Sequence, residues 1–172
     1  MHQSAHKNIL DIYGICIRCL DATTYVLYVL MDLANSDWEL EINARAKRKN
    51  YYNEKELINI LKNLVKALCF LPTVKNIAHR DIKPENILIF ENVYKLADFG
   101  EAKENKDRKR FKTVRGTDYY MSPLLYESVM NNKEDVKHNP YKSDVFSLGL
   151  CMICASALNF DIVCKIRNIK YG

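Results

Sequence analysis

The sequence predicts an α+β fold, and three observations carry the prediction. β-Rich runs open the chain and recur near its middle, an apolar stripe at helical spacing lies between them, and a long apolar helical segment follows towards the end. At 172 residues, 48% hydrophobic and 27% charged, the chain has the size and balance of one domain around one core. No basic start leads into a long apolar segment, and no uninterrupted apolar run approaches the ~18 residues of a membrane span. Neither a signal peptide nor a membrane partner is therefore expected. A cytoplasmic setting, with the nucleus as the alternative, is the matching expectation.

Residues 9–19 and 24–33 are rich in Ile, Val, Leu and Tyr and are joined by the polar turn Leu20-Asp21-Ala22-Thr23, so they predict an antiparallel hairpin. Residues 37–49 are mostly polar, with Trp38, Leu40, Ile42 and Ala44 as apolar content, and predict a short surface helix. Asn53-Glu54-Lys55-Glu56 is a capping-box sequence. Leu57, Ile60, Leu61, Leu64, Val65 and Leu68 then recur at helical spacing as a core stripe, and Pro72 marks the expected end. Ile87-Leu88-Ile89-Phe90 and Val93-Tyr94-Lys95-Leu96-Ala97 predict two short strands around an Glu91-Asn92 turn. Between Leu125 and Pro140 the polar run Asn131 to Asp135 reads as a surface insertion. From Lys142 to Leu158 the chain is apolar nearly all round, as a buried helix is, and after Asn159 the pattern decays.

The net charge of +5 is partly local, with Lys103, Lys106, Arg108, Lys109, Arg110 and Lys112 crowded into one segment. No aromatic residues interleave regularly with these charges, which favours a solvated loop over a nucleic-acid surface, and no nucleic-acid partner is expected. Two C-x-x-C pairs, Cys16/Cys19 and Cys151/Cys154, could in principle supply four zinc thiolates. The first pair lies in a strand, where residues three apart face opposite sides, and the second lies within an apolar helix. Buried free thiols in a reducing compartment are the better expectation.

The chemistry gathers in His79-Arg80-Asp81-Ile82-Lys83-Pro84-Glu85-Asn86 and in Leu96-Ala97-Asp98-Phe99-Gly100, a base, a cation, an amide and a second carboxylate separated by the predicted strand pair. This set resembles the catalytic loop and metal site of the eukaryotic protein kinases, whose pattern is H-R-D-x-K-x-x-N followed by D-F-G. The resemblance implies that Asp81 accepts the hydrogen bond and proton of a substrate hydroxyl, that Lys83 holds the γ-phosphate, and that Asn86 and Asp98 bind Mg²⁺. Leu88 would lie beneath the adenine of ATP. His6-Lys7-Asn8-Ile9 looks like the family's lead into the fourth small-lobe strand, which makes Met31 the gatekeeper and Asp32, Leu33 and Ala34 the hinge. His79, Phe99 and Gly100 would support the motif, and Asp144 would accept hydrogen bonds from the catalytic-loop backbone. Lys83, together with Thr117 in Gly116-Thr117-Asp118-Tyr119-Tyr120-Met121-Ser122-Pro123, implies specificity for serine and threonine. Thr113 falls where many kinases are phosphorylated, with Arg80 as the residue to pair with the phosphate.

The resemblance implies a partial kinase domain over residues 1–172: a small-lobe hairpin and hinge over 1–34, a mainly helical large-lobe core over 35–160, and a tail over 161–172. The Gly-rich loop, the strand-three lysine and its glutamate partner have no counterpart, and Ser122-Pro123-Leu124 stands where the family has A-P-E. The implied function is a serine/threonine protein kinase using ATP and Mg²⁺ on a protein substrate, with little turnover expected from these residues alone. The alternative is a catalytically inactive kinase-like binding or scaffold protein, or a fragment of a longer product.

Overall fold

The computed structural model describes residues 6–104, 111–113, 118–133 and 135–170, with the backbone alone for 111–113, 118, 135 and 167–170. In chain order the elements are β1 (Ile12–Cys19), β2 (Tyr25–Met31), β3 (Ser36–Asp37), α1 (Trp38–Arg48), α2 (Glu54–Phe70), β4 (Ile77–Ala78), β5 (Ile87–Phe90), β6 (Val93–Leu96), β7 (Lys103–Glu104), β8 (Phe111–Thr113), α3 (Pro123–Met130), β9 (Asp135–His138), α4 (Pro140–Ala157) and α5 (Asp161–Lys170). The strands form four small antiparallel sheets, β1-β2, β3-β5-β6, β4-β7 and β8-β9. The α+β expectation is met.

The hairpin forms as its sequence predicts, from Ile12↔Met31 to Cys19↔Tyr25, and Asp21 shapes its turn by accepting at 2.9 Å from the backbone N–H of both Thr23 and Thr24. Two strands alone have no layer to cover either face. Ile15, Ile17 and Leu27 are accordingly exposed on one side and Tyr28 and Leu30 on the other. Cys16 and Cys19 are exposed as well, which corrects the expectation of buried thiols at that pair, whereas Cys151 and Cys154 are buried.

α1 starts because the Asp37 carboxylate accepts from Leu40 N at 2.8 Å, with Glu39 and Glu41 in its first turn and Arg45, Lys47 and Arg48 in its last. It is more than a surface helix: Trp38 and Ile42 are fully buried, because its few apolar residues gather on the side facing the core. α2 starts with both halves of the capping box in place, Glu56 N to Asn53 Oδ1 at 3.0 Å and Asn53 N to Glu56 Oε2 at 2.7 Å. Ile60, Leu64 and Ala67 are buried, but Leu61 and Val65 are exposed, so the predicted stripe splits between core and solvent. Pro72 does not stop the helical path, which runs on as one π-turn over Leu71–Lys75, because proline near the start of that turn forfeits little hydrogen bonding. Glu54–Lys75 is long and apolar enough by length and composition to cross a membrane, although Lys62 and Lys66 interrupt it, while Ile60, Leu64 and Leu71 are buried within this fold.

The core joins α1, α2, the β3-β5-β6 sheet and α4 through Trp38, Ile42, Leu64, Ile87, Leu96 and Cys151. α4 buries Leu148, Cys151 and Ala155 but exposes Val145 and Ile153, so it is not covered all round as expected. Beyond Asn159 the helical path resumes as α5, where Val163 packs with Leu150 and Cys154 in a second cluster. The expected insertion supplies β9, which pairs with β8 across a long sequence gap.

Candidate functional site

The loop between β4 and β5 is held from below by one side chain of α4. Asp144 accepts from His79 N through Oδ2 and from Arg80 N through Oδ1, both at 2.9 Å, which fixes the loop's entry. Burial pushes the Asp144 carboxyl up to about 6, while those two N–H groups and the Arg80 charge favour its ionised form. Arg80 takes a left-handed backbone, φ 74°, a conformation that costs a non-glycine residue energy and persists only where its surroundings impose it.

His79 is completely buried, its ring 4.8 Å from that of Phe99. Nδ1 accepts from Asp81 N at 3.3 Å, so the ring proton sits on Nε2 and is donated to Ala97 O at 2.9 Å. Burial lowers the His79 pKa, and the ring stays neutral. The ring thereby links the Asp81 loop to the strand end that precedes Asp98, the supporting place expected of it.

After Asp81 the chain turns back through a 3-10 turn, Pro84–Asn86, closed by Asn86 N to Lys83 O at 3.1 Å. The turn aims Asn86 at Asp81, its amide nitrogen donating to Asp81 O at 2.9 Å and to Oδ2 at 3.0 Å. Lys83 Nζ lies 3.2 Å from the same Oδ2. A cation, an amide and a carboxylate therefore converge on one atom. Ala97 N donates to Asn86 O at 2.9 Å and so ties the end of β6, with Asp98 next along, to this turn. Asp98 is exposed, has φ 55°, and accepts from Gly100 N at 3.1 Å. A Cβ at residue 100 would lie 3.1 Å from that carboxylate oxygen, so glycine suits the position.

The donor chemistry fits Mg²⁺. Asn86 carries a side-chain carbonyl oxygen and Asp98 a carboxylate, both hard oxygen ligands, on segments tied together by Ala97 N donating to Asn86 O. Among the described residues no three His, Cys, Asp or Glu side chains gather in one place.

A protein kinase domain matches residues 1–167. The chain belongs to the protein kinase family. A probable serine/threonine-protein kinase of Dictyostelium discoideum is 38% identical over 132 residues, covering 74% of this chain and 8% of that protein. Probable serine/threonine-protein kinase nek3 of the same organism is 35% identical over 84% of this chain and 12% of its own length. Serine/threonine-protein kinase Nek2 of Homo sapiens is 32% identical over 99% of this chain and 39% of its own length. The chain thus spans 8% to 39% of the lengths of these relatives.

In kinase terms, Met31 ends β2 and Asp32, Leu33 and Ala34 lie on the connection from β2 to β3, with Met31 exposed and Leu33 95% exposed. β3 brings that connection beside Leu88 through the pair Asp37↔Leu88, and Asn35 N donates to Ile89 O at 2.9 Å. The segment after Gly100 runs alongside the strand that precedes the catalytic loop, Ile77↔Glu104 and Ala78↔Lys103. Thr113 has its backbone in β8, and its side chain lies outside the described residues, as does Thr117 altogether. Leu124, where the family has glutamate, is exposed in the first turn of α3.

Two anchors were missed in the sequence. Ser147 Oγ donates to Tyr120 O at 2.7 Å, and Ser143 Oγ lies 3.0 Å from Ser122 Oγ, so α4 holds the end of the activation segment as well as the catalytic loop. The available signal was two serines four residues apart, flanking Asp144 and Leu148 on an otherwise apolar helix.

Proposed function

We propose that this chain carries the phosphoryl-transfer centre of a serine/threonine protein kinase, binding ATP with Mg²⁺ and passing the γ-phosphoryl group to a protein hydroxyl. The observation that carries this reading is the convergence of Lys83 Nζ and Asn86 Nδ2 on Asp81 Oδ2, at 3.2 and 3.0 Å. Phosphoryl transfer needs an oriented hydroxyl and compensation of charge more than covalent help from the protein. Asp81 accepts the hydroxyl's hydrogen bond and takes its proton as the new oxygen–phosphorus bond forms and the bond from the γ-phosphorus to its bridging oxygen breaks. Lys83, fixed beside Asp81, offsets the charge on the transferred group. Asn86 and Asp98 would hold Mg²⁺, which neutralises phosphate charge. The serine/threonine-protein kinase names of the relatives support the acceptor class. Phosphorylation of Thr113, answered by Arg80, is the regulatory part of the same reading, and Thr113→Glu in the full protein would raise activity.

The test combines binding with transfer. Mg·ATP should raise the melting temperature of the chain but not of Asp98→Ala, and in the full protein Asp81→Asn should lower phosphate transfer to a Ser/Thr peptide pool by about 10²-fold or more. No thermal shift in the unmodified chain would remove the nucleotide reading. A shift without transfer would assign it to a binding protein.

A further inference from the structure

The hairpin leads directly into the nucleotide-binding connection, yet among the described residues β1 and β2 pair only with each other. Its orientation over the catalytic body is therefore set at its base. The entering leg is tied to β6: Asn8 Nδ2 donates to Tyr94 O at 3.0 Å, Leu96 N to Asn8 O at 2.9 Å and Leu10 N to Leu96 O at 2.9 Å. The leaving leg is tied to β5 by Asn35 N and Ile89 O. Between these ties stand two carboxylates, Asp11 just before β1 and Asp32 just after β2, and the Ile12↔Met31 register sets them across from each other. Like charges facing across a strand pair repel.

Lys95 of β6 answers both. Its Nζ lies 3.9 Å from Asp11 Oδ2 and 4.0 Å from Asp32 Oδ2, on a side chain only 15% exposed, and 5.0 Å from the centre of the Phe90 ring. A lysine normally keeps its head in water, so this degree of burial between two acids marks a held position. Asp32 also meets the Tyr13 hydroxyl, whose pKa it raises. Across the β5-β6 ladder Lys95 is paired with Leu88, the residue expected beneath the adenine.

The geometry points to Lys95 as a positioning residue: one cation on the catalytic body fastens both legs of the hairpin and fixes the Asp32–Ala34 connection relative to Leu88. Its effect on nucleotide rests on the function proposed above, whereas its effect on the hairpin does not. An apolar replacement leaves Asp11 and Asp32 opposed, arginine keeps the cation, and removing one carboxylate relieves the repulsion.

Hydrogen exchange of the full chain without nucleotide reads the hairpin directly. In Lys95→Met, amides of β1 and β2 should exchange about threefold to tenfold faster while those of α2 and α4 are unchanged. Lys95→Arg should stay within about twofold of the parent, and adding Asp11→Asn to Lys95→Met should restore most of the protection. Mg·ATP affinity should fall and recover in parallel. Unchanged hairpin exchange in Lys95→Met overturns the inference, and so does faster exchange that Asp11→Asn leaves in place, since lost alkyl packing would then be the cause. Faster exchange that Asp11→Asn reverses, with no Mg·ATP binding by any version, supports the clamp and refutes the nucleotide reading.

Discussion

Acid acts on the catalytic loop through His79. The neutral ring is needed twice, as donor to Ala97 O and as acceptor from Asp81 N, and a protonated ring would turn a second N–H against that of Asp81. Burial lowers the folded-state pKa below the ordinary value of 6.5, so the unfolded chain takes up the proton first. The His79 contribution is therefore complete above about pH 6.5 and is lost as pH falls below it, at up to about 1.4 kcal/mol per pH unit. His138, also lowered by burial, and His6 act in the same direction, so the comparison must be with His79→Gln, which keeps both and cannot titrate at the loop. Urea unfolding followed by circular dichroism between pH 7 and 5 should show the stability difference between parent and variant shifting steadily against the parent as the pH falls, with a slope of at most about 1.4 kcal/mol per pH unit. A difference that stays constant with pH would refute the reasoning.

Three further outcomes are expected. Asn53→Ala removes the capping side chain and should cost about 1 kcal/mol in denaturant unfolding, with phosphate transfer per folded molecule unchanged. Asp144→Ala leaves the buried N–H of His79, at about 1–3 kcal/mol, and the partly buried N–H of Arg80, at less, without their acceptor, and should speed hydrogen exchange at both residues before α2 is affected. Asn86→Ala deletes both the amide that steadies Asp81 and the oxygen proposed to hold Mg²⁺, so the Mg²⁺ concentration giving half of the Mg·ATP thermal shift should rise about tenfold or more.

The catalytic loop was legible because its chemistry fixes residue types at fixed intervals: Asp81, Lys83 and Asn86 meet through one short turn, which spacing alone describes. The capping box at Asn53 and the turn at Asp21 were equally local. What spacing does not carry is what lies on the far side of a residue. The β-rich runs and the polar turn between them predicted the pairing of β1 with β2, but an apolar strand has the same sequence whether or not another layer covers it. Ile42 and Trp38 belong to a largely polar helix whose burial depends on α2 and β6 arriving from elsewhere. Arg80 and Asp98 adopt left-handed backbones with no glycine to announce them, because the strain is imposed by contacts with distant or folded-back partners. The β8-β9 pairing is similarly non-local.

The anchoring of the loop by Asp144 also has a consequence in time. His79 N and Asp144 Oδ2 are 65 residues apart in the chain, so on a ribosome the catalytic residues emerge long before the carboxylate that shapes them. At ~5–20 residues per second that interval is roughly 3–13 s, during which α2 can form its local bonds while the loop at Arg80 has no acceptor from α4. Non-local contacts of this kind form late. The Asp81 loop thus acquires its shape only after α4 has been made, and a chain released before that point carries Asp81, Lys83, Asn86 and Asp98 without the Asp144 anchor.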